Sequence, residues 1–265
     1  MLSDFHFQDD GGSLPAVVLL HGFMGSLADW DDLRQRLRPA WRTVAIDLPG
    51  HGQSPLDPGD DFQQTLERLE SWLRQSGLEK AHLLGYSMGG RLALGLALRA
   101  PQLLASLILE SVSPGLESDG AIRERQAQEA AWAQAMTADK GAFLADWNRG
   151  SLFSRQAARN PQAARAIHSR RLDHDPRGWA DALKAFGLGY QPNLWSQLPH
   201  LDLPVLLLSG REDEKFTHMA NRMAGLLPGG RKAVISDAGH AAHLEQPAKF
   251  QAAVSEFLAM VGMKI

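Results

Sequence analysis

The feature of this sequence that most constrains its fold is a series of short apolar runs, each bounded by turn-forming residues and separated by helix-like segments. The runs occupy residues 16–20, 43–48, 81–84, 104–109, 204–208 and 233–235. Continuous apolar strands that alternate with helices are typical of a parallel sheet covered on both faces. We therefore predict an α/β fold with a mostly parallel, doubly wound sheet.

Between residues 114 and 195 the strand signal disappears, and helical periodicity is found in residues 121–136 and 156–169. We predict a helical cap over residues 114–195, inserted in a core made of residues 1–113 and 196–265. The cap carries 11 basic and 9 acidic residues, whereas the core carries 16 and 21. Nine of the cap's basic residues are Arg, whose planar guanidinium pairs well with carboxylates. The predicted cap is therefore basic, and the core is acidic.

Composition excludes several other classes of function. A net charge of -3 provides no general positive field, so we expect no nucleic-acid partner. The absence of cysteine excludes a disulfide framework, a thiolate metal site and a cysteine nucleophile. No metal-binding spacing and no glycine-rich dinucleotide fingerprint occur, so we expect neither a metal nor a cofactor.

The apolar runs are far shorter than the roughly 20 residues of a membrane span, so we expect no membrane association. The first residues contain no basic stretch followed by an apolar run, which favours a cytoplasmic location. The sequence leaves the oligomeric state open, and a monomer is compatible with it.

The most specific local motif is Gly85-Tyr86-Ser87-Met88-Gly89, which directly follows one apolar run and directly precedes a helix-like segment. A strand, a sharp turn and a helix in this order form a nucleophile elbow, in which the serine is exposed at the turn. Small flanking residues are needed because the strand and the helix approach each other closely. We predict that Ser87 carries an activated hydroxyl.

An activated serine needs an imidazole, and the imidazole needs a carboxylate that fixes its tautomer. Asp213 and His240 each lie just beyond an apolar run, where parallel sheets assemble their sites. We predict that they complete a triad with Ser87. Glu212 and Asp237 remain alternative acids, and His243 remains an alternative base that better suits a pocket wall.

The transition state of such a site also needs preorganised donors for a developing negative oxygen. In an elbow fold these are the backbone N–H groups of the residue after the serine and of a residue after an early strand. We predict Met88 and Phe23 for these two positions.

With these residues in order along the chain, the sequence resembles the α/β-hydrolase superfamily over nearly its whole length. The resemblance also includes the turn at His21-Gly22 and the string Asp47-Leu48-Pro49-Gly50-His51-Gly52. It implies a fold and a triad but does not choose a reaction, because many activities share both.

Longer strings are similar to those of the 2-succinyl-6-hydroxy-2,4-cyclohexadiene-1-carboxylate synthases of menaquinone biosynthesis. They are His21-Gly22-Phe23-Met24-Gly25-Ser26, Gly85-Tyr86-Ser87-Met88-Gly89-Gly90-Arg91, Ser113-Pro114-Gly115-Leu116, residues 187–195, Asp213-Glu214-Lys215-Phe216 and Gly239-His240-Ala241-Ala242-His243. These synthases are lyases that eliminate pyruvate from a substrate with three carboxylates. The resemblance therefore implies several cationic contacts, and the charge count independently indicates a basic cap.

The resemblance implies substrate-binding roles for Tyr86, Arg91, Arg123, Trp147, Arg170 and His243. Arg91 lies four residues after Ser87, on the same helix face. Arg125 is the alternative to Arg123, and Arg171 is the alternative to Arg170, because only one member of each pair can face the site. Phe153 is a further candidate for the underside of the cap.

In the implied mechanism Ser87 acts as a base that removes a carbon-bound proton, and pyruvate then leaves without consumption of water. The alternative activity is that of a serine hydrolase, which would cleave a carbon–carbon bond or a small ester through an acyl-enzyme. A ligand-binding protein without catalysis is a third class, but it would require a broken triad, and all three residue types are present.

Overall fold

The computed structural model describes residues 5–150 and 156–263, and its seven strands form one sheet. The strands are β1 (Phe7–Asp9), β2 (Ala16–Leu20), β3 (Arg42–Ile46), β4 (Ala81–Tyr86), β5 (Leu104–Glu110), β6 (Val205–Gly210) and β7 (Gly230–Ile235). Their order in the sheet is β1-β3-β2-β4-β5-β6-β7, and only β1 pairs antiparallel to its neighbour. The predicted mostly parallel, doubly wound sheet is confirmed.

The strands differ from the prediction at both edges of the sheet, and at one of them β7 begins three residues before the predicted run 233–235. We did not predict β1, because its three residues are all exposed and form no apolar run. It nevertheless pairs with β3, where Phe7 lies opposite Ile46. The run 43–48 was placed slightly too late, since β3 spans Arg42–Ile46.

Eleven helices are found in the described residues. They are α1 (Asp31–Leu37), α2 (Phe62–Gln75), α3 (Ser87–Arg99), α4 (Asp119–Ala138), α5 (Lys140–Arg149), α6 (Gln156–Arg159), α7 (Pro161–Asp173), α8 (Pro176–Phe186), α9 (Glu214–Ala224), α10 (Ala242–Glu245) and α11 (Pro247–Gly262). Short 3₁₀ turns cover Leu27–Trp30, Pro101–Leu103 and Trp195–His200.

Helices α4 to α8 lie between β5 and β6 in the chain, where we predicted the cap. The predicted helix over residues 156–169 is two helices, α6 and α7. The break has a local cause: Asn160 caps α7 through a bond from the N–H of Ala163, and Pro161 is its first residue. The cap boundaries at residues 114 and 195 stay a prediction.

Two apolar layers cover the two faces of the sheet. Alternate residues of β2 enter opposite layers, with Val18 and Leu20 in one and Val17 and Leu19 in the other. The first layer contains Trp72, Trp179 and Phe186, which are almost completely buried, and the second contains Trp30 and Phe250. This double cover explains why the central strands read as continuous apolar runs.

The segments that follow β4, β6 and β7 leave the sheet at the carboxyl ends of parallel strands, so they meet at one edge. They carry Ser87, as the first residue of α3, and Asp213 and His240, on loops. None of the helices in the described ranges has the length and apolar character that crossing a membrane requires.

Candidate active site

Ser87 lies at a strained turn between β4 and α3. Tyr86 is the last residue of the strand, Ser87 is the first residue of the helix, and the φ angle of Ser87 is 49°. Positive φ is uncommon for residues other than glycine, and such strain often marks functional sites. A Cβ at Gly85 would lie 2.6 Å from the carbonyl oxygen of Gly89, so the turn closes only with glycine there.

The hydroxyl of Ser87 faces the imidazole of His240, with Oγ 3.2 Å from Nε2. The other ring nitrogen, Nδ1, is 2.7 Å from Oδ2 of Asp213. Both His240 and Asp213 are buried, and the Asp213 side chain also caps α9 by accepting a bond from the N–H of Phe216. The carboxylate holds the proton on Nδ1, which leaves Nε2 as the acceptor for the serine proton.

The alternative acids and base have other partners. The carboxylate of Glu212 pairs with Arg159, and that of Asp237 accepts a 2.7 Å bond from Lys249. Nδ1 of His243 lies 2.7 Å from Oε2 of Glu110. The geometry therefore favours Asp213 and His240 over these alternatives.

Phe23 and Met88 border the same cavity as Ser87, as the predicted donor positions require. Met88 is the second residue of α3, and N–H groups in a first turn have no partner within the helix.

The turn before Phe23 is held by the buried ring of His21. Its Nδ1 donates to the carbonyl of Gly22 at 2.7 Å, and its Nε2 accepts from the N–H of Leu48 at 3.0 Å. Burial lowers the pKa of His21, so the ring is neutral and can keep both bonds.

The cavity at Ser87 encloses about 130 Å³, and most of its charged lining residues are cationic. Its charged lining residues are Arg91, Arg125, Arg171, Lys215 and Asp29. The carboxylate of Asp29 is already paired with Arg170 at 2.6 Å, so the uncompensated charge at the cavity is positive. This arrangement can hold an anion beside an activated serine.

Arg91 is buried at the cavity and is positioned by uncharged acceptors. Its Nη1 donates to the carbonyl of Phe186 at 3.2 Å and to the side-chain oxygen of Gln191 at 3.1 Å. Burial lowers its pKa to about 10, which still leaves a cation at neutral pH. A cation that is held by neutral groups keeps its charge available for a ligand.

The structure places Arg125, and not Arg123, at the cavity. Arg123 is exposed, whereas Arg125 lines the cavity, pairs with Glu129 at 2.8 Å and lies 4.8 Å from the ring of Trp132. Residues two positions apart on a helix point in different directions, so only one of the two could face the site. The preference for Arg123 is thereby corrected to Arg125.

The same correction applies to the second arginine pair. Arg170 forms the ion pair with Asp29 and borders a neighbouring cavity, while Arg171 is buried and lines the cavity at Ser87. Nε of Arg171 donates to the carbonyl of Met24 at 3.1 Å, and burial lowers the pKa of its guanidinium. Arg171 replaces Arg170 as the candidate ligand for a carboxylate.

Two predicted aromatic residues line the cavity. The ring of Tyr86 lies 5.5 Å from that of His240, and burial raises the pKa of its phenol well above the usual value, so it can act as a hydrogen-bond donor. Trp147 packs edge-on against Phe23 at 5.6 Å. Phe153 lies outside the described residues.

His243 is not part of the cavity wall, contrary to the prediction. Its ring is buried behind Tyr86, at 4.7 Å, and also contacts Trp30 at 4.5 Å. Its Nδ1 faces the buried carboxylate of Glu110 in the core. His243 therefore supports Tyr86 from behind and does not contact a ligand in the cavity.

Sequence reasoning missed Lys215 as a site residue. It is exposed at the cavity, two residues after Asp213. The string Asp213-Glu214-Lys215-Phe216 contained the signal, because a residue so close to the triad acid must lie near the site. Among the described residues, no group of three or more histidine, aspartate and glutamate side chains could hold a metal ion.

The sequence of this chain matches a known fold family and named relatives. The profile of the α/β hydrolase fold family matches residues 15–247. A Bacillus subtilis protein named putative 2-succinyl-6-hydroxy-2,4-cyclohexadiene-1-carboxylate synthase is 40% identical over 93% of this chain and 91% of its own length. The synthase of the same name from Serratia proteamaculans is 35% identical over 99% of this chain and all of its own length.

Two solved structures are also similar. The structure of MenH from S. aureus superposes with a TM-score of 0.92 at 30% identity, covering 98% of this chain and 99% of that one. A malate-bound thermophilic esterase from Thermogutta terrifontis superposes with a TM-score of 0.78 at 28% identity, covering 97% and 93%.

Proposed function

Since this chain belongs to the α/β-hydrolase fold family and, within it, to the 2-succinyl-6-hydroxy-2,4-cyclohexadiene-1-carboxylate synthases, we propose that it is a lyase of menaquinone biosynthesis. Its substrate is 2-succinyl-5-enolpyruvyl-6-hydroxy-3-cyclohexene-1-carboxylate, from which it eliminates pyruvate. The other product is 2-succinyl-6-hydroxy-2,4-cyclohexadiene-1-carboxylate.

The observation that carries this proposal is the cationic lining beside the serine. The guanidinium groups of Arg91, Arg125 and Arg171 border the same cavity as Ser87, and Lys215 adds a fourth cation. The proposed substrate has three carboxylates, on the ring, on the succinyl chain and on the enolpyruvyl group. Charge-assisted hydrogen bonds to three guanidinium groups would fix all three ends of the substrate.

The chemical step needs a base, and the triad supplies one. His240, oriented by Asp213, takes the proton of Ser87, and the serine oxygen removes the carbon-bound proton next to the succinyl carbonyl. The electron pair of that C–H bond forms a ring double bond, the existing ring double bond shifts, and the bond to the enolpyruvyl oxygen breaks. The leaving group departs as the enolate of pyruvate and takes up the proton that His240 received from Ser87, so no water is consumed.

Two further features support the elimination. The N–H groups of Phe23 and Met88 would stabilise the negative charge that develops on the succinyl oxygen, and fixed donors of this kind contribute about 3 kcal/mol each. The arginines would hold the substrate so that the proton to be removed lies within reach of Ser87. Orientation of this kind supplies several kcal/mol to a reaction.

A serine hydrolase is the second candidate function, because the same triad can form an acyl-enzyme and one similar structure is that of an esterase. The test is to incubate the protein separately with the cyclohexene substrate and with an activated aryl ester. Pyruvate is measured in the first reaction and the released phenol in the second. We expect rapid pyruvate release and slow ester cleavage, and fast ester cleavage without any pyruvate would favour the hydrolase.

The expected partners and location of this protein remain predictions. We propose that the only ligand needed for activity is the small anionic substrate. A cytoplasmic location stays a prediction from the sequence, which leaves the oligomeric state open.

A further inference from the structure

One guanidinium of the cap contacts both segments that carry the triad acid and the triad histidine. Nη1 of Arg159, the last residue of α6, donates to Oε2 of Glu245 at 2.5 Å, and its Nη2 pairs with Oε1 of Glu212. The two carboxylates come from different segments of the core, 33 positions apart in the chain. A single cap residue thus joins the loop of Asp213 to α10, the helix that follows the loop of His240.

Each of these carboxylates is directly connected to a member of the triad. Glu212 immediately precedes Asp213 in the chain. Glu245 accepts a 2.9 Å bond from the N–H of Gly239, which immediately precedes His240. A displacement of Glu212 would therefore act on the adjacent Asp213. A displacement of the Glu245 carboxylate would act through Gly239 on the adjacent His240.

The burial of these groups indicates that the contact is more than a surface ion pair. The Glu245 side chain is 2% exposed and that of Arg159 is 17% exposed, whereas Glu212 is 32% exposed. Loss of the cation would leave a charged carboxylate in the interior, which is costly. Next to Arg159, Nδ2 of Asn160 donates to the carbonyl of Leu244 at 2.9 Å, so a second bond links the cap to α10.

We propose that Arg159 is a positioning residue that fastens the cap to the loops of Asp213 and His240 and so couples cap docking to triad alignment. Arg159 is outside the set of described residues that line the cavity at Ser87, so it acts through Glu212 and Glu245 and not on the substrate. The inference rests on the triad in the proposed function but not on the identity of the substrate.

The test uses a fluorophosphonate, which labels an activated serine without any need for the natural substrate. The oxygen of Ser87 forms a bond to phosphorus, fluoride leaves, and His240 takes the serine proton. Small misplacements of reacting groups can cost up to about a hundredfold in rate, so for Arg159→Gln we expect a labelling rate about tenfold lower. Arg159→Lys keeps a cation and should give an intermediate rate.

The matched control is Arg177→Gln. This change also removes a guanidinium from the cap, but Arg177 is 80% exposed and pairs with Asp175 on its own helix end. We expect its labelling rate to equal that of the unchanged protein. Where Arg159→Gln does not fold, Glu245→Gln replaces it, because glutamine can still accept the bond from Gly239 but loses the charge that Arg159 needs.

A labelling rate within about threefold of the unchanged protein would overturn the proposal, even if the variant melts at a lower temperature, because the role would then be one of stability alone. An equal loss in Arg177→Gln would overturn it as well. Labelling that depends on Arg159 in a protein that releases no pyruvate would support the positioning role and contradict the proposed substrate.

Discussion

At the scale of single residues, the site depends on which member of each arginine pair faces the cavity. The sequence resemblance indicated one arginine in residues 122–125 and one at 170 or 171, and we preferred Arg123 and Arg170, which the structure does not place at the cavity. The choice depends on how α4 and α7 are rotated against the core, which is set by packing and not by local sequence. The structure selects Arg125 and Arg171, through the cavity that they line.

The Arg125 and Arg123 pair offers a matched test of this selection. Arg125→Gln should raise KM for the anionic substrate by about tenfold or more, because a charge-assisted hydrogen bond contributes roughly 1.5–3 kcal/mol. Arg123→Gln removes the same charge from an exposed position and should leave KM within about twofold. Steady-state kinetics at low ionic strength measure both, and an equal rise in KM for the two variants would contradict the placement.

At the scale of secondary-structure elements, the close contact between β2, β4 and α3 determines where Ser87 stands. A Cβ at Gly89 would lie 2.3 Å from the carbonyl oxygen of His21 and 2.6 Å from that of Leu20. The elbow was predictable because its glycines stand at fixed positions around the serine. The edge strand β1 was not predictable, because its three exposed residues show no apolar pattern that would indicate pairing with β3.

The elbow contact can be tested with two glycine variants. Gly89→Ala should lower the free energy of unfolding by at least about 2 kcal/mol, because backbone atoms must move to admit the methyl group. Gly120→Ala in α4 meets no atom within 4 Å and should raise it by about 0.5–1 kcal/mol. Urea unfolding of both variants measures the two changes, and a Gly89→Ala protein of unchanged stability would show that α3 is not packed as described.

A second test at this scale concerns a buried histidine in β4. Burial lowers the pKa of His82 from 6.5 to about 4, and its Nδ1 contacts the hydroxyl of Ser106 at 2.7 Å. The unfolded chain therefore binds a proton first as the pH falls below 6.5, so stability is lost between pH 6.5 and 4. The loss contributed by this group is about 3 kcal/mol at pH 4.

Replacement of His82 by Gln removes this titration while keeping a polar partner for Ser106. The slope of the unfolding free energy against pH, measured by urea titration between pH 5 and 7, should therefore become shallower. His21, His51 and His174 also have pKa values lowered by burial, so a residual slope of the same sign should remain. An unchanged slope in the variant would show that His82 is not held neutral.

At the scale of the whole molecule, the sheet brings together residues that are far apart in sequence, and the cap adds the positive charge. The apolar runs and the elbow allowed the sheet, the order of the triad residues and the sign of the cap charge to be predicted. The contacts of Arg159 with Glu212 and Glu245 could not be predicted, because they depend on how α6 docks on the core. The break at Asn160 that ends α6 also depends on local capping that periodicity does not detect.

The role of Ser87 as the base of a lyase is tested most directly by pyruvate release from the cyclohexene substrate, measured at saturating concentration for the unchanged protein and for Ser87→Ala. The serine oxygen is the proposed base, so the variant should lose at least about a thousandfold in kcat, by analogy with the loss of other triad members. Its circular dichroism spectrum should stay unchanged. Pyruvate release at similar rates by both proteins would contradict the role of Ser87, and release by neither would contradict the lyase activity.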